Sequence, residues 1–231
     1  MHLKLLLWAV ILPIPFCVFR KKKYDISWLQ MLLIYVIVSF IGACGACFGS
    51  VISGGALLGV RLYGLMMFDT LSILLLHYLL KHPIGKLGDF ISVPIMMVCA
   101  ASKISCFIGN CCYGMVLYYV DGEAVRFPSA LAEMGLWILL TAFLLIIEYR
   151  GHVKNLMWPI AMIWFGVVRF SMDFFRGPAS ERTPFVFSLT FGRFWSLIVF
   201  MMGLILLYVA LRKTLARNPK IKEYVKAIFG I

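Results

Sequence analysis

The stretch Phe165-Gly-Val-Val-Arg-Phe-Ser-Met-Asp-Phe-Phe-Arg176 places Arg169, Asp173 and Arg176 in an otherwise apolar run. Arg169 and Asp173 are four residues apart, so on a helix they share a face and can form an ion pair. Arg176 falls on nearly the same side and adds positive charge that Asp173 does not balance. A second run, Ala101-Ser-Lys-Ile-Ser-Cys-Phe-Ile-Gly-Asn-Cys-Cys-Tyr-Gly114, sets Lys103 ahead of Ser105, Gly109, Asn110 and Gly114. Such polar, flexible backbone is expected to line a polar cavity, whereas Lys103 either faces that cavity or extends its head to the interface. Pro128-Ser-Ala-Leu-Ala-Glu133 carries an acid whose expected partner is Arg169 or Lys103. Arg61 and Asp69 lie eight residues apart, roughly aligned on a helix. Gly54-Gly55 offers either amides that can meet an anion or small residues for helix contact.

Together Arg61, Lys103 and Arg169 bring positive charge into apolar surroundings, with Glu133 and Asp173 as partial counterions. This is the electrostatics of a site for an anionic lipid head group. Arginine suits phosphate because its planar fork bonds two oxygens at once. The same cations would stabilise a leaving group that gains negative charge. Cys106, Cys111 and Cys112 have no nearby His or second Cys pair at zinc spacing, so no metal and no cofactor is expected. These thiols read first as packing groups, or as a nucleophile activated by Lys103. The Cys44/Cys47 pair reads as packing.

The elements that must position these residues follow from composition. Of 231 residues 63% are hydrophobic and 14% charged, with a formal net charge of +12 and a mean hydropathy of +0.96. Those values exclude disorder and an ordinary soluble enzyme and point to an integral membrane protein of one domain, 1–231. Apolar runs long enough to span a bilayer occur at Leu3–Phe19, Ser27–Gly49, Ala56–Leu80, Phe90–Ile108, Pro128–Ile147, Leu156–Phe174 and Phe191–Leu211. The expected fold is all-α, a polytopic bundle of about seven transmembrane helices. With the N-terminus outside, the segments Arg20–Lys23, Lys81–Lys86, Arg150–Lys154 and the chain from Arg212 hold 14 of the 22 basic residues. That asymmetry predicts a cytoplasmic C-terminus and a basic cytoplasmic tail over 213–231. It also accounts for the +12 without a nucleic-acid partner. No internal repeat is visible, which disfavours a transporter.

The motifs resemble those of the bacterial prolipoprotein diacylglyceryl transferase family, from about Ser53 to Leu211. Ser53-Gly-Gly-Ala-Leu-Leu-Gly59 is similar to the family's His-Gly-Gly segment, and Lys103 to Gly114 to its Arg-x-Gly-Asn-Phe-x-Asn signature with the terminal Gly kept. Pro128-Ser-Ala-Leu-Ala-Glu133 is similar to Pro-Ser-Gln-Leu-Tyr-Glu, and the run from Phe165 through Arg176-Gly-Pro to Tyr-Gly-x-x-Arg-x-x-x-Glu-Phe-Phe-Arg-x-Pro. The resemblance implies transfer of diacylglyceryl from phosphatidylglycerol to the lipobox cysteine thiol of a prolipoprotein signal peptide, at the bacterial cell membrane. By position Arg169 is the implied essential arginine, Glu133 and Gly114 match family positions and Lys103 replaces a second arginine. Arg169, Lys103 and Glu133 are the expected catalytic residues, with Arg61, Gly54, Gly55, Asn110, Gly114, Asp173 and Arg176 expected at the substrate. Ser53 stands at the family's histidine position, which removes a candidate base. Cys106 and Cys111 stand at asparagine and glutamate positions, Ala130 and Ala132 replace Gln and Tyr, and Lys103 loses the arginine fork. The alternatives are a non-catalytic protein that binds or moves anionic lipid, and a transferase with a different acceptor.

Overall fold

The structure is a computed structural model that describes residues 11–53, 61–109, 112, 114–151, 154–176, 184–186 and 189–217. Its helices are α1 (Ile14–Lys21), α2 (Trp28–Ile52), α3 (Leu62–Leu80), α4 (Ile84–Ile108), α5 (Ser129–Arg150), α6 (Met157–Met172) and α7 (Phe191–Arg217). A 3-10 turn, Asp173–Phe175, ends α6. Six helices among the described residues, α2 to α7, are long and apolar enough to cross a membrane. The chain is thus an all-α polytopic membrane bundle. Of the expected first span Leu3–Phe19, residues 3–10 lie outside the described residues, and Ile14 onward forms the short α1. Gly54, Gly55, Asn110 and Cys111 also lie outside them. Of the expected tail, residues 213–217 continue α7 and 218–231 fall outside.

Helix boundaries follow local chemistry. The α2 start is fixed by a capping box, in which Gln30 N donates to Ser27 Oγ at 3.2 Å and Ser27 N donates to Gln30 Oε1 at 3.0 Å. Helix α4 begins at Ile84, not Phe90, because its first turns carry Lys86 and Asp89 and run past the apolar stretch that hydropathy registers. The outward faces are apolar, with Leu29 77% and Ile205 58% exposed, as lipid contact requires. Trp137, Phe165, Phe90, Met96 and Leu140 are fully buried between helices.

Two close approaches shape the bundle. A Cβ built on Gly64 of α3 would meet the Gly45 carbonyl oxygen of α2 at 2.0 Å, so small residues let these backbones touch. Within α4, Pro94 has no N–H to give Phe90, four residues earlier. Arg20 supplies the missing donor: its Nη1 donates to the Phe90 carbonyl at 2.6 Å and its Nη2 to that of Asp89 at 2.8 Å. Its Nε donates to both oxygens of Glu148 in α5, at 3.0 and 2.9 Å. One buried guanidinium therefore ties α1 to α4 and α5.

Two short antiparallel hairpins join the helices: β1 (Val116–Val120) with β2 (Glu123–Arg126), and β3 (Pro184–Val186) with β4 (Leu189–Thr190). The first turns at Asp121-Gly122, both with positive φ (50° and 83°). An Asp-Gly pair between residues such as Val116-Leu-Tyr-Tyr-Val120 is a strong hairpin signal.

Candidate functional site

The site is organised around one carboxylate. Glu133 lies one turn into α5 and is 1% exposed. Arg169 of α6 places Nη1 2.8 Å from both of its oxygens. Lys103, near the end of α4, brings Nζ within 2.5 Å of Oε2, and Arg176 donates from Nη2 to Oε1 at 3.0 Å. Three cations from separate elements thus share one anion. Lys103 faces the interior, 4% exposed, and does not reach toward the interface. Buried charge is tolerated only when compensated, and here one carboxylate meets three positive groups. Arg169 Nε is also buried with no hydrogen-bond partner. An excess of positive charge and an unfilled donor are what an anionic ligand would complete.

The floor beneath is rigid and apolar. Trp137 lies one turn after Glu133 on α5, and Phe165 one turn before Arg169 on α6. Their rings stack with centroids 5.4 Å apart and planes at 26°. Cys99, one turn before Lys103, is fully buried. Lys103, Glu133 and Arg169 therefore each stand one turn from a buried residue of their own helix.

Gly114 holds the rim. It forms an antiparallel bridge with Arg176, while Met115 N donates to the Phe175 carbonyl at 2.9 Å and Phe127 N to the Met115 carbonyl at 2.9 Å. Ser129 Oγ, at the start of α5, donates to the Cys112 carbonyl at 2.9 Å. A Cβ on Gly114 would fall 1.8 Å from the Phe127 carbonyl oxygen. Gly114→Ala is therefore expected to push this strand away from Phe127 and carry Arg176 off Glu133. The expected loss is about 1–3 kcal/mol of stability, measurable by thermal unfolding in detergent, together with weaker anion binding.

The expected Arg169–Asp173 pair does not form. Asp173 lies in the 3-10 turn, where the helical face that would align it with Arg169 has ended. It pairs instead with Arg193 Nε of α7 at 3.0 Å and accepts from Thr190 Oγ1 at 2.7 Å. Arg193, which the sequence did not single out, is thus the partner of Asp173. The signal for it was an arginine in the first turn of an apolar span, near an acid that needed one. Arg61 caps the start of α3, and among the described residues its guanidinium has no recorded ion pair. Arg61, Arg169 and Arg176 all act electrostatically on the Tyr63 hydroxyl, which shares a hydrogen bond with Ser53. Asp69 is 1% exposed and sits against Gly42 of α2, away from Arg61: a Cβ on that glycine would meet its Oδ1 at 2.6 Å.

Cys112 flanks the cluster. Its hydrogen bond with Cys106, with Lys103 and Arg176 behind it, brings its thiol down to about 5 against the upward push of burial. A depressed thiol is ionised above its pKa and loses its charge only as pH falls through it. Alkylation of Cys112, followed by peptide mass spectrometry, is expected to be constant from pH 8 to 6 and half-lost near pH 5, whereas an ordinary thiol slows from about pH 8.5. Among the described residues, no three His, Cys, Asp or Glu side chains are arranged to hold a metal ion.

A family model for prolipoprotein diacylglyceryl transferase matches residues 5–209. The chain belongs to the prolipoprotein diacylglyceryl transferase family. Among similar proteins is the phosphatidylglycerol–prolipoprotein diacylglyceryl transferase of Francisella tularensis subsp. tularensis (strain FSC 198), 25% identical over 144 residues, covering 57% of this chain and 54% of that protein. The protein of that name from Wolbachia sp. subsp. Brugia malayi (strain TRS) is 27% identical over 163 residues, covering 67% of this chain and 57% of its own length. The chain spans about half the length of the curated relatives it matches. The charged cluster of Lys103, Glu133, Arg169 and Arg176 lies within the region matched by the prolipoprotein diacylglyceryl transferase model.

Proposed function

We propose that this chain is a diacylglyceryl transferase that moves diacylglyceryl from phosphatidylglycerol to the lipobox cysteine thiol of a prolipoprotein, in the cell membrane of a bacterium with its N-terminus outside. The observation that carries the reading is the convergence of Lys103, Arg169 and Arg176 on the single carboxylate of Glu133. Their excess charge receives the phosphate, while the acyl chains stay in lipid. In the transfer the thiol sulfur bonds to the glyceryl carbon, the carbon–oxygen bond to phosphate breaks, and the thiol proton is released. The phosphodiester, with one negative charge, leaves as glycerol phosphate, whose freed oxygen brings a second. Cations fixed where that charge develops lower the barrier. Glu133 has both oxygens occupied, so it acts as a positioning group for the cations, not as the proton acceptor.

Ser53 favours a second reading. Where the family has histidine, its hydroxyl donates to the Ser50 carbonyl at 2.8 Å and contacts Tyr63, an arrangement that supplies no base and so favours binding of lipid without transfer. Incubation of the purified chain with phosphatidylglycerol and a lipobox peptide separates the two. Thioether-linked product with released glycerol phosphate supports transfer, and intact bound phosphatidylglycerol supports binding alone. No product with any of several lipobox peptides would sink lipoprotein modification.

A further inference from the structure

The opposite end of the bundle carries a second charged site. Glu148 lies 15 residues beyond Glu133 on α5, about 22 Å along the helix at 1.5 Å per residue. There the α1–α2 connection, α4, the end of α5 and the α5–α6 connection line an open cavity of about 330 Å³ that presents Lys23, Lys86 and Lys154 together with Asp25, Asp89 and Glu148. That volume suits a head group.

The acids at its floor are already used. Both Asp89 oxygens accept backbone amides at the start of α6, from Asn155 at 2.5 Å and Met157 at 2.9 Å. Glu148 is taken up by Arg20. The lysines are not neutralised in return: Lys23 donates to the Glu148 carbonyl oxygen and Lys86 to that of Asp25 at 3.3 Å. Carbonyls orient an ammonium without cancelling its charge. Lys154 has no recorded partner among the described residues, and none of the three lysines forms an ion pair there. Asp89 keeps its charge beneath those neutral amides, so Asp25 and Asp89 oppose the three lysines and one positive charge is left over.

We propose that this cavity is a phosphate-binding site, taking either the head group of an anionic phospholipid in the leaflet at that end or free phosphate. It is separate from the Glu133 cluster and does not rest on the transferase reading. All three lysines come from segments that basic-residue asymmetry assigns to the cytoplasmic side, where anionic lipid and phosphate are both available.

Native mass spectrometry of the full chain in detergent, with short-chain phosphatidylglycerol, phosphatidylcholine or inorganic phosphate as probes, tests it. One phosphatidylglycerol should be lost in the triple variant Lys23→Gln, Lys86→Gln, Lys154→Gln and retained in Arg169→Ala, with phosphatidylcholine unaffected by either. Competition by inorganic phosphate for that lipid identifies a free-phosphate site, and its failure identifies the lipid head group. Should the triple variant misfold, Lys154→Gln carries the test, with an expected weakening of about fivefold. Phosphatidylglycerol and phosphate binding unchanged within twofold in a folded lysine variant would overturn the proposal.

Discussion

Arg169→Ala is expected to cut the proposed diacylglyceryl transfer by about 10²–10³-fold while the chain stays folded. The reasoning separates the two effects. Arg169 Nη1 reaches both Glu133 oxygens at 2.8 Å, but Lys103 at 2.5 Å and Arg176 at 3.0 Å remain when it is removed. The carboxylate is therefore still compensated, and the stacked Trp137–Phe165 floor is untouched. What disappears is a guanidinium whose buried Nε has no hydrogen-bond partner. Arg169→Lys restores charge but not the fork and should recover only part of the rate. Mass spectrometry of lipid and peptide products, beside an unfolding curve in detergent, checks both halves. A rate within threefold of the parent would contradict the role assigned to this arginine.

Glu133→Gln is expected to act in the opposite order, on the fold first. It leaves Lys103, Arg169 and Arg176 together with no carboxylate between them at a position only 1% exposed. Breaking a buried pair from one side costs about 3–5 kcal/mol, because the surviving charge cannot be solvated. Three survive here, so the upper end is expected. Adding Lys103→Met should recover part of the loss by removing one stranded charge. Phosphate or sulfate in the buffer should also stabilise Glu133→Gln more than the parent chain, by occupying the vacated place among the cations. If Glu133→Gln unfolds at the parent temperature, the carboxylate is not what holds these cations.

Six membrane-crossing helices were legible from hydropathy, because length and apolarity are properties of single segments. So were Lys103, Glu133 and Arg169, since each interrupts such a segment and the cost of burying them implies a purpose. Their pairing was less legible. A spacing of four residues predicts contact between Arg169 and Asp173 only while the α-helix continues, and it ends at Met172. The real partner of Arg169 is 36 residues away, a relation that depends on how α5 and α6 pack. Arg176 was readable as excess charge, but its destination on Glu133 depends on the bridge between Gly114 and Arg176. The first hairpin was readable from Asp121-Gly122 and went unread behind the apolar runs. Arg20 was read for orientation alone, because nothing local announces that Pro94 orphans a carbonyl or that Glu148 needs a cation.

That arginine has a history within each molecule. Its partners lie 69 and 70 residues downstream, in Asp89 and Phe90, and 128 downstream, in Glu148. At about 5–20 residues per second of synthesis, Arg20 waits roughly 6–26 seconds between its own translation and that of Glu148. All of its contacts can close only after α4 and α5 have both been made and have packed against the same end of α1.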